Sequence, residues 1–159
     1  MREILFRGKR LDGGGWVEGS LYSTDTDAFI LNALSTYAGS DYKQAFGDAV
    51  DPDTVGQYTG LFDKNGKRIF EGDVLQCGDI KCVAAFGEYR HVDKAADYPN
   101  GDVGFHVAFV CRESALSKRN DIVFWVRHGD AGVVGNVHDS PELEKGSLAG
   151  MADGVEGEE

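Results

Sequence analysis

The amino-acid sequence predicts an all-β protein built from short antiparallel strands. Three observations carry this: 22 glycines punctuate the 159 residues, no 11-residue window sustains the i, i+3, i+4, i+7 apolar stripe of a surface helix, and one hairpin shows clean two-residue alternation. At 17.2 kDa and 42% apolar residues the chain has the size of one compact domain. Such a chain buries roughly 68–70% of its unfolded surface and needs no disulfide or structural metal to hold a core.

In chain order the expected strands are Glu3 to Arg7, Trp16 to Tyr22, Ala28 to Leu31, Lys43 to Ala49, Val55 to Tyr58, Asp73 to Cys77, Ile80 to Phe86, Gly104 to Val110, Ile122 to Arg127 and Val133 to His138. Asp12-Gly13-Gly14-Gly15 joins the first two as a hairpin loop. Asp51-Pro52-Asp53 is a turn whose proline presets φ. Asn65-Gly66 is another turn tip, where both residues tolerate positive φ. Helix is confined to a single expected turn at Ser114 to Lys118.

The hairpin around Gly78-Asp79 is the best determined, because a two-residue loop fixes register. Cys77 then opposes Ile80, and Leu75 opposes Cys82. Alternation puts Leu75, Cys77, Ile80, Cys82, Ala84 and Phe86 on one core-facing surface, with Gln76 and Lys81 toward water. Phe105, Val107 and Phe109 offer a second such face, and Ile122, Phe124 and Val126 a third. Burying the six side chains of the hairpin contributes on the order of 10 kcal/mol before chain entropy is counted, enough to organise a small barrel.

The string Asp53-Thr54-Val55-Gly56-Gln57-Tyr58-Thr59-Gly60-Leu61-Phe62-Asp63-Lys64-Asn65-Gly66-Lys67-Arg68-Ile69-Phe70-Glu71-Gly72-Asp73-Val74 resembles the signature stretch of the YopX family, small proteins carried by bacteriophages and prophages. Ile4 to Arg10 with Trp16 to Leu21 is similar to the family's opening hairpin. Val134 to Leu143 is similar to its closing strand and terminal turn. The resemblance implies a phage origin and an all-β domain over residues 1–143: an N-terminal β-hairpin extension (1–60), then an SH3-like barrel (61–143). It implies no reaction. The loop from Tyr89 to Gly101 and the acidic C-terminus depart from the family pattern and inherit nothing from it. Within the central string, Gly72 is expected to let the backbone turn, and Asp73 to bond nearby amides before Val74 enters the sheet.

Charge is divided unevenly along the chain. The net charge is -11, of which residues 139–159 carry -6 through seven acids against Lys145, leaving -5 on the other 138 residues. After Leu143 the sequence has no aromatic residue and one β-branched residue, Val155. It cannot bury enough apolar surface to offset its ordering entropy, so Glu144 to Glu159 is expected to be a disordered acidic tail. The first residues, Met1 to Arg7, show no signal-type apolar stretch, and the apolar runs are too short for a membrane span. Three cysteines, an odd number, point to a reducing compartment; with the phage origin that the resemblance implies, the expected location is the cytoplasm of a bacterial host.

The residues do not spell a catalytic or metal motif. Cys77, Cys82, Cys111 and His91, His106, His128, His138 form no C-x-x-C or H-E-x-x-H spacing, and neither a G-x-S-x-G elbow nor a P-loop is present. Cys77 and Cys82 fall diagonally in the hairpin register, roughly 7–8 Å apart, and are expected to be core thiols. No catalytic residue, metal or cofactor is therefore expected. An unrecognised enzyme site would have to draw on Asp73, His106, His128 and Gln57.

Nucleic-acid binding has stacking candidates in Tyr58, Phe62, Tyr89 and Trp125, and a cation supply in Arg7, Lys9, Arg10, Lys64, Lys67 and Arg68. The negative balance of even the folded part opposes it. Acids scattered through loops do not form the rigid array of a DNA mimic either. The expected role is a protein-interaction module, its first partner a second copy of itself and its second a host or phage protein. Gln57, Tyr58 and Thr59 either close the barrel or knit the N-terminal hairpin to it by hydrogen bonds, or, with Arg7, Lys9 and Trp16, line a binding groove. The N-terminal hairpin and residues 29–50, which have weak local cores, are the expected contact elements.

Overall fold

Alternating side chains and tight turns yield the expected antiparallel sheets. A computed structural model of the chain describes residues 3–36, 43–89, 102–109 and 120–145. The fold is all-β with very little helix, and it divides into two compact units, Met1–Gly60 and Leu61–Glu159.

The first unit is a meander. β1 (Phe6–Lys9) pairs with β2 (Trp16–Ser23), β2 with β3 (Ala28–Thr36), and β3 with β4 (Lys43–Val50), all antiparallel. A 3-10 turn at Pro52–Thr54, capped by the Asp51 side chain, leads into β5 (Gly56–Phe62), which pairs with the free side of β1. The meander curls back on itself. Leu11 N–H donates to the Ala49 carbonyl at 3.1 Å, Asp51 N–H donates to the Lys9 carbonyl at 2.9 Å, and Arg10 bridges Val50. Inside the curl Ala28, Ile30 and Val50 are buried, flanked by Phe6, Val17, Leu21 and Val55. Two glycines make room for this. A Cβ at Gly8 would sit 2.8 Å from the Val50 side chain, and one at Gly19 would run into the Leu31 carbonyl.

The second unit holds a four-stranded antiparallel sheet in the order β10-β7-β8-β9, from β7 (Asp73–Cys77), β8 (Ile80–Tyr89), β9 (Asp102–Phe109) and β10 (Gly132–Asn136). Cys77 opposes Ile80 and Leu75 opposes Cys82, the register the two-residue loop dictates. Leu75, Cys82, Ala84 and Val107 are buried with Ile69, Ile122, Trp125 and Ala131, and Cys77, Ile80 and Phe105 pack against them. Phe86 departs from expectation. It has the right parity but lies beyond the covered part of the sheet, 53% exposed, with its ring edge-on to Phe105.

Ile122–Arg127 is also a correction: the expected strand is a helix, α1. Asp121 caps it by accepting the Val123 amide at 2.9 Å; the residues it buries fully are Ile122 and Trp125, three apart, while Phe124 and Val126 are partly buried against the same core. A short strand, β6 (Arg68–Phe70), follows the Asp63–Lys67 turn and was not expected. At that turn Gly66 has φ 77°. Gly72 has φ 84°, and Asp73, fully buried, accepts the Phe70 amide at 2.8 Å, as the sequence led one to expect. After β10, Asn136 accepts the amides of His138 and Asp139, and the chain ends its described course in α2 (Glu142–Lys145), the last two residues of which open the expected tail. The expected helical turn at Ser114 to Lys118, the inserted loop at 90–101, His91, Cys111 and residues 146–159 lie outside the described residues.

Candidate protein-binding surface

Register decides which of the expected site residues can act together. In β1, Arg7 opposes Glu18 of β2 and Gly56 of β5, Lys9 opposes Trp16, and Phe6 opposes Gly19 and Gln57. Directly opposed residues project to the same side of a sheet. Arg7, Lys9, Trp16, Glu18 and Tyr58 therefore share one side, while Gln57 and Thr59 share the other with Phe6 and Val17. The structure brings all six expected residues onto three adjacent strands. It does not put them in one groove, because Gln57, Tyr58 and Thr59 alternate along β5.

On the shared side the Arg7 guanidinium lies over the Trp16 ring, 4.7 Å from its centroid. Arg7 is only 7% exposed and Tyr58 is buried as well, with its amide donating to the Leu5 carbonyl at 2.8 Å. A cation held on a ring face is worth about 0.5–2 kcal/mol, rising with desolvation, so this pair braces the β1–β2 hairpin. The Lys9 amide is bound to Thr54 Oγ1 at 2.9 Å, which fastens the strand to the 3-10 turn. Arg10 is ion-paired with Asp12 at 2.9 Å and Asp48 at 3.1 Å.

Several exposed apolar side chains of the first unit fall within the segments expected to make contacts, the N-terminal hairpin and residues 29–50, although none of them was singled out individually. Tyr22 and Phe29 oppose each other across β2 and β3 with ring centroids 6.5 Å apart, and both are exposed. Farther along, Leu34 and Phe46 are 72% and 46% exposed. Phe29 carried a usable signal, since it falls between Ala28 and Ile30, the two residues of β3 that enter the core.

The polar residues considered for catalysis are tied into the fold. Asp73 holds the Phe70 amide. His106 Nδ1 lies 3.1 Å from the Gly104 carbonyl, and its ring stacks on Tyr89 with centroids 4.8 Å apart. His128 packs against Phe124. Burial, followed by the charges of Asp102 and Asp121, pushes the Tyr89 phenol up. Burial, then the neighbouring Cys77, pushes the Cys82 thiol up to about 12. Cys77 Sγ donates to the Gly129 carbonyl. Among the described residues both cysteines are free thiols, and no group of three His, Cys, Asp or Glu side chains is arranged to hold a metal ion. No described helix is long and apolar enough to cross a membrane.

Among known proteins, the family model described as YopX protein aligns with residues 5–145 of the chain. No curated protein matches the chain.

Proposed function

Because the chain belongs to the YopX family, we propose that it is a phage- or prophage-encoded accessory protein that works by contacting other protein molecules, its own copies among them. The observation that carries this is the exposure of Tyr22, Phe29, Leu34 and Phe46 on sheet strands of the first unit. Apolar exposure concentrated on neighbouring strands marks contact elements, and open strand edges accept a further strand at little cost. The second unit, with its four-stranded antiparallel sheet, is proposed as an SH3-like barrel, and the protein as cytoplasmic in the bacterial host. A non-enzymatic role is supported by the structural work that Asp73, His106 and His128 already do.

The test is light scattering on the full chain over a concentration series, with DNA affinity measured across a salt series in parallel. A defined multimer together with no DNA affinity at low salt supports the proposal. A 17.2 kDa species at every concentration contradicts self-association. Salt-sensitive DNA binding would favour the small-barrel nucleic-acid reading instead.

A further inference from the structure

Resting on the self-association proposed above, we infer that the docking element is the β3–β4 ribbon beyond Leu31, and that its occupant is the same ribbon of a second copy. The pairing of β2 with β3 runs from Ser23 opposite Ala28 and stops at Ser20 opposite Leu31. Past that point Ala33 to Thr36 pair with Phe46 to Lys43, and among the described residues no other strand lies beside them. The register shift between Leu31 and Ala33 is a bulge, which bends β3 where it leaves β2. A two-stranded ribbon standing apart from its sheet is marginal in water. This one carries an apolar pair on each side next to the bulge, Leu34 opposite Ala45 on one and Ala33 opposite Phe46 on the other, with Ser35, Gln44, Thr36 and Lys43 beyond them.

The backbone of β4 shows which groups the ribbon offers. The Ala49 carbonyl accepts Leu11 N–H and Asp51 N–H donates to the Lys9 carbonyl, so the odd-numbered positions direct their polar groups away from β3. By the two-residue repeat of the ladder, the amides and carbonyls of Ala45 and Gly47 point along the same outer edge, just ahead of where Arg10 and Leu11 cover it.

Three features choose a second copy over an unlike partner. The ribbon has two open edges running antiparallel to each other, so ribbons set side by side satisfy one another, β4 of one against β3 of the next or β4 against β4. Residues 28–50 carry only Asp41, Lys43 and Asp48, a net of -1 in a chain of -11, so like-charged copies meet little repulsion along this stretch. A basic partner would be drawn to the acidic remainder. Apolar residues on both ribbon faces are covered together when copies wrap, whereas a single flat partner covers one.

Sedimentation velocity on the full chain tests this with three variants: the double variant Leu34→Glu/Phe46→Glu, Ala45→Pro, and Leu11→Glu. Leu34 and Phe46 are exposed, and the Ala45 amide faces outward, so the fold should survive, as unchanged far-UV circular dichroism would verify. The expected result is an assembled parent protein, a 17.2 kDa species for the double variant and for Ala45→Pro, and parental size for Leu11→Glu at the exposed β1–β2 turn. Ribbon variants that stay assembled would move the interface elsewhere and overturn the inference while leaving self-association intact. A parent protein that is monomeric throughout would remove both.

Discussion

The Asp63 carboxylate accepts the amides of Asn65 and Lys67 at 2.8 Å and of Val133 at 2.9 Å, so a single side chain holds a turn closed and fastens β10 to it. Burial acts to raise its pKa, but the amides of Val133, Lys67 and Asn65 with the Asn65 side chain outweigh this, and the group lies below the ordinary carboxylate range. A depressed folded pKa contributes stability above the unfolded value of about 3.9, and that contribution is lost as pH falls through the folded value. Asp63→Ala should cost about 2 kcal/mol in urea unfolding at pH 7. Its difference from the parent should narrow below pH about 4; an equal loss at pH 7 and pH 3 would show that the carboxylate's charge is not what holds the turn. Cys82 makes a second expectation at this level. With its thiol pushed up to about 12 by burial, it should resist iodoacetamide at pH 8 in the native protein and react on denaturation, read by peptide mass spectrometry. Rapid native labelling would place the thiol outside the core.

The β7–β8 hairpin was legible because Gly78-Asp79 leaves one register open, and Leu75 and Cys82 meet as that register requires. α1 was not, because Ile122-Val123-Phe124-Trp125-Val126-Arg127 fits both periods: Ile122, Phe124 and Val126 at two, Ile122 and Trp125 at three. Its β-branched and aromatic residues favour a strand, and the position of Trp125 in the core decides for a helix. Asp121→Ala should therefore cost about 1 kcal/mol by loss of the cap, measured by urea unfolding; no loss would mean the cap does not hold the helix. β6, three residues long, is too short to show alternation, and Phe86 shows that parity tells which side a residue faces but not whether anything covers it. The same limit applies to the contact surface. Arg7 meets Trp16 because Lys9 opposes Trp16, a pairing beyond the expected strand end at Arg7, and the exposure of Leu34 and Phe46 depends on where β2 ceases to accompany β3, which no residue pattern announces.

Charge acts over the whole chain. Copies carrying -11 each repel, and salt screens that repulsion within about 10 Å at 0.1 M. Assembly should therefore tighten as salt rises from low to moderate concentration in light scattering, and assembly that dissolves with added salt would mean ion pairs rather than apolar edges hold it. The family assignment and the two units with their separate cores constrain what the protein is built from, while its work depends on what meets the open ribbon. Hydrogen exchange on the full chain at low and high protein concentration examines that meeting directly. The Ala45 and Gly47 amides should slow markedly at high concentration while those of the Asp12-to-Gly15 turn do not change. Exchange at Ala45 and Gly47 that is the same at both concentrations would contradict it.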